Sequence, residues 1–132
     1  LSPNAKKDHW DVIEGQAAFF HPWGGVTLML VQGSQPDVMV LCHNPARKSL
    51  LHLEHFPIRE IPEYIEAYER AAKFTNPKAK VEAISLNTSE FKDKKEAIAL
   101  IQNFEKKYKL PCFDPIFTDV GPFVDILIEK YS

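Results

Sequence analysis

Glu14 closes the run Trp10-Asp11-Val12-Ile13 and is followed by Gly15-Gln16, which makes it the residue of this chain best placed to do chemistry. A short apolar run ending in a carboxylate and then glycine reads as a buried parallel strand, Trp10–Glu14. Such a strand delivers its acid to the carboxyl edge of the sheet, where open α/β folds bind their ligands. An acid there can hold Mg²⁺ directly or through water, orient a nucleophile, or cap nearby backbone amides. Gln16 both donates and accepts, which suits an amide or carboxylate substrate. His21-Pro22-Trp23-Gly24-Gly25 comes next and opens a helix. Two glycines at a helix start let backbone approach a ligand, and the free amides attract anions. The other reading is a tight turn with Trp23 packed on the core. His21 can serve as a general base or anchor a carboxylate.

A second group sits at Cys42-His43-Asn44-Pro45-Ala46-Arg47. Neighbouring strand residues point to opposite faces, so Cys42 and His43 are poorly placed to share one metal ion. Arg47, just past the strand, offers a guanidinium fork for carboxylate or phosphate. His52 and His55 read as loop residues. Asn87-Thr88 and Asp114-Pro115 end later strands as turn or capping residues that can also face a ligand. No Gly-x-x-x-x-Gly-Lys-Ser/Thr, Gly-x-Gly-x-x-Gly or Gly-x-Ser-x-Gly occurs in the chain.

The elements that must position these groups alternate. Strands are expected at Trp10–Glu14, Asp37–His43, Val81–Leu86 and Pro111–Phe113. Between and after them come helices: Gly25–Gln32 closed by Gly33, one striped by Ile61, Ile65, Tyr68 and Ala72, one by Ala97, Ile101, Phe104 and Tyr108, and a last one by Val124, Leu127, Ile128 and Tyr131. Pro62 suits a first helical turn, and Asp93 with Glu96 resembles a capping box. The stretch 44–59 is expected to loop over the carboxyl edge. Alternation of this kind implies a parallel sheet with right-handed crossovers and helices on both faces, in a single domain over residues 1–132.

Composition sets outer bounds. With 45% hydrophobic and 26% charged residues, the chain matches ordinary folded domains. A formal net charge of -2 points to neither nucleic acid nor an anionic membrane as partner. The longest apolar run, Val26–Val31 with one Thr, is far too short to cross a membrane. No signal peptide is visible, and two cysteines in apparent strands read as reduced, buried thiols of a cytoplasmic protein.

Several linked motifs then converge on one family. Glu14-Gly15-Gln16, His21-Pro22, Gly25-Val26-Thr27-Leu28, Gly33-Ser34-Gln35-Pro36-Asp37, Leu41-Cys42-His43 through Arg47, Leu86-Asn87-Thr88 and Asp114-Pro115 resemble the D-glutamate N-acetyltransferase family. That family has been catalogued as a domain of unknown function and sometimes labelled an NAD-dependent epimerase. The resemblance implies a three-layer αβα, P-loop NTPase-like fold, of which this chain is the carboxyl-terminal part. The strand and loop of Walker A type would then lie outside it. The implied reaction is acetyl transfer from acetyl-CoA to the amine of an acidic D-amino acid such as D-glutamate. Glu14 or His21 would act as base, the Gly24 and Gly25 amides as oxyanion or phosphate donors, and Gln16, His43, Arg47 and Asn87 as substrate contacts. Glu14 would also hold Mg²⁺ if ATP is used. Ala17-Ala18 and Phe117 stand where members carry Gly-Ser and Arg. The alternatives are an ATP- and Mg-dependent ligase resembling dethiobiotin synthetase, and a non-catalytic nucleotide-binding domain. The isolated chain is expected to be silent, and to associate with itself or with the missing amino-terminal half.

Overall fold

Val81-Glu82-Ala83-Ile84-Ser85-Leu86 carries apolar residues on both faces, as a strand covered from two sides must. It forms the centre of a three-stranded parallel sheet. The structure is a computed structural model that describes residues 4–6, 9–15 and 18–131. Its elements run α1 (Gly24–Ser34), β1 (Val38–His43), β2 (Ser49–Leu50), β3 (Leu53–Pro57), α2 (Ile61–Ala72), β4 (Lys80–Leu86), α3 (Lys94–Tyr108), β5 (Cys112–Phe113) and α4 (Gly121–Tyr131). The sheet order is β1-β4-β5, with both pairings parallel.

Both crossovers step in the same direction, so right-handed connections put α2 and α3 on one face. Ile61 and Tyr64 of α2 and Ile101 of α3 accordingly share a core with Leu41, Ile84, Leu86 and Cys112. α4 covers the other face, where the Phe123 ring lies 5.2 Å from that of Phe113. The expected three-layer αβα arrangement with a parallel sheet is present. α1 packs beside α2, with Val31 against Ala71, Ala72 and Ala79. At their shared carboxyl ends, Thr75 Oγ1 donates to the Gln32 carbonyl at 2.9 Å and Asn76 Nδ2 to the Pro36 carbonyl at 3.0 Å. α1 and α2 therefore end at the amino edge of the sheet and begin at its carboxyl edge.

A buried acid anchors α4. The register passes from Met39↔Val81 to Val40↔Ala83, leaving Glu82 as the extra residue of a bulge. Burial penalises its charge, but Lys130 Nζ at 2.6 Å and the Tyr131 hydroxyl at 2.7 Å outweigh that and hold the carboxyl below its ordinary pKa. Tyr131→Phe removes one donor from this carboxylate and should cost about 1 kcal/mol, read as a lower urea midpoint.

The observed elements depart from the sequence expectation in four places. Residues 9–15 form no strand: Val12 is 93% exposed and no residue there pairs with the sheet. A strand needs a neighbouring strand to bond, and residues 9–15 are joined to neither of the two sheets. The stretch 44–59 is not wholly a loop, because β2 and β3 form a hairpin in which His52 takes a left-handed φ of 62°. Gly33 lies inside α1, and Gln35 takes the left-handed position after it. Asp93 caps α3 by accepting from the Lys95 amide, while the two-way capping box belongs to Glu60 and Glu63 of α2. Among the described residues, no helix is long and apolar enough to cross a membrane.

The two cysteines differ sharply. Burial pushes the Cys112 thiol up to about 12, whereas Cys42 is exposed. A thiol-specific reagent at neutral pH should modify one thiol per native chain and the second only after unfolding. Equal labelling rates in the native chain would contradict this placement.

Candidate functional site

Since α1 and α2 begin where β1 and β4 end, His21, Gly24, Gly25, His43, Arg47 and Asn87 lie at one edge of the sheet. The loop after β1 is tied to the loop after β4. The Asn87 amide donates to the His43 carbonyl at 2.8 Å, and Asn44 Nδ2 donates to Glu90 Oε1 at 2.9 Å. Asn44 Oδ1 also accepts from the Ala46 amide at 3.0 Å, and the Arg47 amide closes the turn on the Asn44 carbonyl at 3.3 Å. This small turn holds Arg47 at the edge with its side chain exposed and in no ion pair among the described residues. Asn87 spends its side-chain oxygen on the Ser89 amide at 3.1 Å, so its Nδ2 is the group it can offer a ligand.

His43 faces the side of the sheet covered by α2 and α3, its ring 6.0 Å from Phe104. Burial lowers its pKa and the nearby Glu60 carboxylate opposes this only in part, which keeps the imidazole neutral at pH 7. Cys42 faces the opposite way, as the strand alternation requires. Although the Cys42 side chain is exposed, the atoms packed around its sulfur desolvate it in part, and this and then the Glu14 carboxylate raise its pKa, so it is a thiol at neutral pH. Glu14 itself is exposed. Gln16 lies outside the described residues.

The 18–24 segment is a tight turn, and it changes two expectations. The Trp23 amide donates to His21 Nδ1 at 3.1 Å, which puts the imidazole proton on Nε2. His21 therefore presents a donor, suited to anchoring a carboxylate more than to taking a proton. The Gly24 amide donates to the His21 carbonyl at 2.6 Å, so it is already engaged. A Cβ at Gly24 would stand 2.1 Å from the Phe19 carbonyl oxygen. This glycine is thus demanded by a close backbone approach within the chain. Gly25 is exposed with nothing within 4 Å of a Cβ, which leaves its amide as the donor of the pair. Gly24→Ala should cost roughly 2–3 kcal/mol through that clash, whereas Gly25→Ala should leave thermal stability nearly unchanged. Equal losses for the two variants would contradict this division.

Two features were not legible beforehand. Phe20, Leu50, Phe56, Ile58, Arg59 and Glu60 line a cleft of about 440 Å³ beside the amino end of α2. The Arg59 guanidinium stacks 4.8 Å from the Phe20 ring and bonds Glu63 at 3.0 Å. The only sequence signal was Glu60-x-x-Glu63, a capping pattern built on Glu rather than Ser or Thr. The second feature is Asp114, 2% exposed, which accepts from Thr88 Oγ1 at 2.6 Å, the Thr88 amide at 2.9 Å and the Ile116 amide at 2.8 Å. Burial would raise its pKa, but these bonds outweigh it and hold the carboxyl below its ordinary value. With its bonding capacity spent inside the fold, Asp114 clamps the ends of β4 and β5 together. Among the described residues no group of three His, Cys, Asp or Glu side chains is placed to hold a metal. A Mg²⁺ at Glu14 would therefore take most of its ligands from phosphate and water.

Comparison with known proteins agrees with this architecture. The model for the DUF1611_C P-loop domain, a domain of unknown function, matches residues 1–124. A D-glutamate N-acetyltransferase of Tritonibacter scottomollicae is 37% identical over 128 residues, covering 96% of this chain and 38% of that protein. One from a Pseudoalteromonas species is 39% identical over 125 residues, covering 94% and 37%. The crystal structure of a DUF1611 family protein from Anabaena variabilis superposes with a TM-score of 0.79 at 31% identity, over 88% of this chain and 34% of that one. The chain thus spans well under half the length of these relatives, and it belongs to the DUF1611 family, matching its P-loop domain.

Proposed function

We propose that this chain forms the substrate-facing part of an N-acetyltransferase that moves an acetyl group from acetyl-CoA to the amine of an acidic D-amino acid such as D-glutamate. The observation that carries the reading is identity of 37% and 39%, across nearly the whole chain, to two proteins named for that activity. The edge offers groups that such a reaction needs. Glu14 takes a proton from the substrate ammonium, and the freed amine attacks the thioester carbonyl. The Gly25 amide helps hold the resulting oxyanion. The C–S bond then breaks, and the CoA thiolate leaves and takes up a proton. The Arg47 fork and His21 Nε2–H hold substrate carboxylates, with Asn87, His43 and Gln16 as further contacts. In this reading the parent protein works in the cytoplasm on small molecules, without nucleic acid or membrane.

A second reading, an ATP-dependent ligase using Mg²⁺, draws on the family's description as a P-loop domain. One assay separates the two. A full-length protein carrying this chain should release CoA thiol from acetyl-CoA when given D-glutamate, without ATP. Turnover that needs ATP and produces ADP would replace the transferase with the ligase, and binding of either ligand without turnover would replace both.

A further inference from the structure

Beside the edge that carries His21 and Arg47 lies the cleft at the amino end of α2, which the proposed reaction leaves unused. Phe20, the residue before His21, gives it one wall. Leu50, Phe56 and Ile58, from the β2–β3 hairpin and just past it, give the others. The Phe20 ring is held from two directions, by Tyr64 of α2 edge-on at 4.9 Å and by the Arg59 guanidinium at 4.8 Å. The Ile58 amide donates to the Lys48 carbonyl at 3.1 Å, one residue past Arg47, so the apolar wall and the turn at Arg47 are parts of one unit. At about 440 Å³ the cleft falls toward the low end of small-molecule sites, which run to roughly 300–1,000 Å³. That is room for a slender chain rather than a whole coenzyme.

Charge decides what kind of chain. Among the described residues that line the cleft, Arg59 is the one cation against Glu60 and Glu63, and its guanidinium bonds Glu63 at 3.0 Å. Both carboxylates also serve the capping box of α2, each accepting from the backbone amide of the other residue. The helix end that would otherwise draw an anion already holds two of its own. A phosphate or a substrate carboxylate entering here meets like charge. D-Glutamate brings carboxylates, and the far end of acetyl-CoA brings phosphates. The pantetheine arm between the thioester and those phosphates is uncharged. Its amide N–H and hydroxyl groups are donors that the rim carboxylates accept, and its methyl and methylene groups match the walls of Phe20, Leu50, Phe56 and Ile58. Resting on the acetyl-transfer reading, we propose that this cleft holds the pantetheine arm of acetyl-CoA and leads the thioester to the edge beside His21 and Arg47, with the phosphates kept outside it.

The test uses a full-length protein that carries this chain, with leucine and isoleucine methyl groups labelled for NMR. Pantetheine, which lacks the phosphates, should shift the Leu50 and Ile58 signals and compete with acetyl-CoA. ADP, which lacks the arm, should leave both signals unmoved. This measurement needs neither a variant nor turnover. Phe56→Ala then removes a wall that is 40% exposed and so contributes little to the core. It should raise the KM for acetyl-CoA roughly tenfold while kcat and the KM for D-glutamate stay within about twofold, and Phe56→Leu should recover most of the loss. A parental KM for acetyl-CoA in Phe56→Ala, or Leu50 and Ile58 unmoved by pantetheine, in a protein that still releases CoA, would overturn the cleft assignment and leave the transferase standing. Movement of those methyl signals by ADP would assign the cleft to the phosphates and overturn it as well. If neither acetyl-CoA nor pantetheine binds, the transferase reading and the cleft assignment fall together.

Discussion

Asp114→Ala should be strongly destabilising, costing about 3–4 kcal/mol. Its removal leaves the Thr88 hydroxyl, the Thr88 amide and the Ile116 amide without their acceptor, and Thr88 is fully buried. Each such orphaned donor costs about 1–3 kcal/mol, less whatever an entering water recovers. Asp114→Asn keeps the shape but turns one acceptor into a donor facing other donors, so about 2 kcal/mol is expected. The pH dependence follows from the lowered pKa. The unfolded chain binds the proton more tightly than the native one, so the carboxylate stabilises fully above the usual carboxylate range. That contribution fades as pH falls through the depressed native value. Urea midpoints measured from pH 7 down to pH 3 should therefore drop less steeply in Asp114→Ala than in the parent. Glu82 and Glu69, whose pKa values are also lowered, leave some acid sensitivity in both. Parallel curves, or a loss under about 1 kcal/mol at pH 7, would show that the clamp between β4 and β5 is not held by this acid.

The sequence pattern reached the parts of the fold whose signal is local. Ile61, Ile65 and Tyr68 sit at helical spacing, and α2 runs from Ile61 to Ala72. The run Val38–Leu41 is continuously apolar, and it became β1. Where a partner decides the outcome, pattern reading went astray. Residues 10–14 carry strand residues, but backbone bonds come from a neighbour, and sequence alone does not say whether one is present. The hairpin of β2 and β3 was hidden because it turns at Leu51-His52 without glycine, with His52 supplying the left-handed residue. Gly33 suggested a helix end, yet helix propensity tolerated it and Gln35 took the cap.

The same division runs through the candidate site. Arg47, Asn87 and His43 were placed at one edge by the simple rule that ligands gather where parallel strands end. Their finer roles depended on hydrogen bonds that no spacing encodes. The bond from Trp23 to His21 fixes a tautomer, and the bond from Gly24 to the His21 carbonyl takes an amide out of play. Asp114 looked like a turn residue, and only its burial against Thr88 shows that it works inside the fold.

Glu14→Gln should lower turnover by about a hundredfold or more in a full-length protein that carries this chain, if Glu14 is the base. The amide keeps the size and hydrogen-bonding reach of the side chain while removing the group that accepts the proton, and 100-fold corresponds to about 2.7 kcal/mol of barrier. Because His21 Nδ1 is occupied by the Trp23 amide, His21→Gln should instead raise the Michaelis constant for D-glutamate with a smaller change in turnover. Arg47→Lys should do the same, since an ammonium cannot make the paired contacts of a guanidinium with a carboxylate. The exposure of Glu14 in this chain sharpens the expectation. A carboxylate in open water is a poor general base, and it gains basicity when water is excluded from it. If Glu14 is the base, water must be kept from it for the reaction to run, so the 132 residues alone should be inactive. Steady-state kinetics of the three variants would decide the assignment. A large turnover loss in His21→Gln with near-normal turnover in Glu14→Gln would exchange their roles. Parental kinetics in all three would remove this edge from the active site.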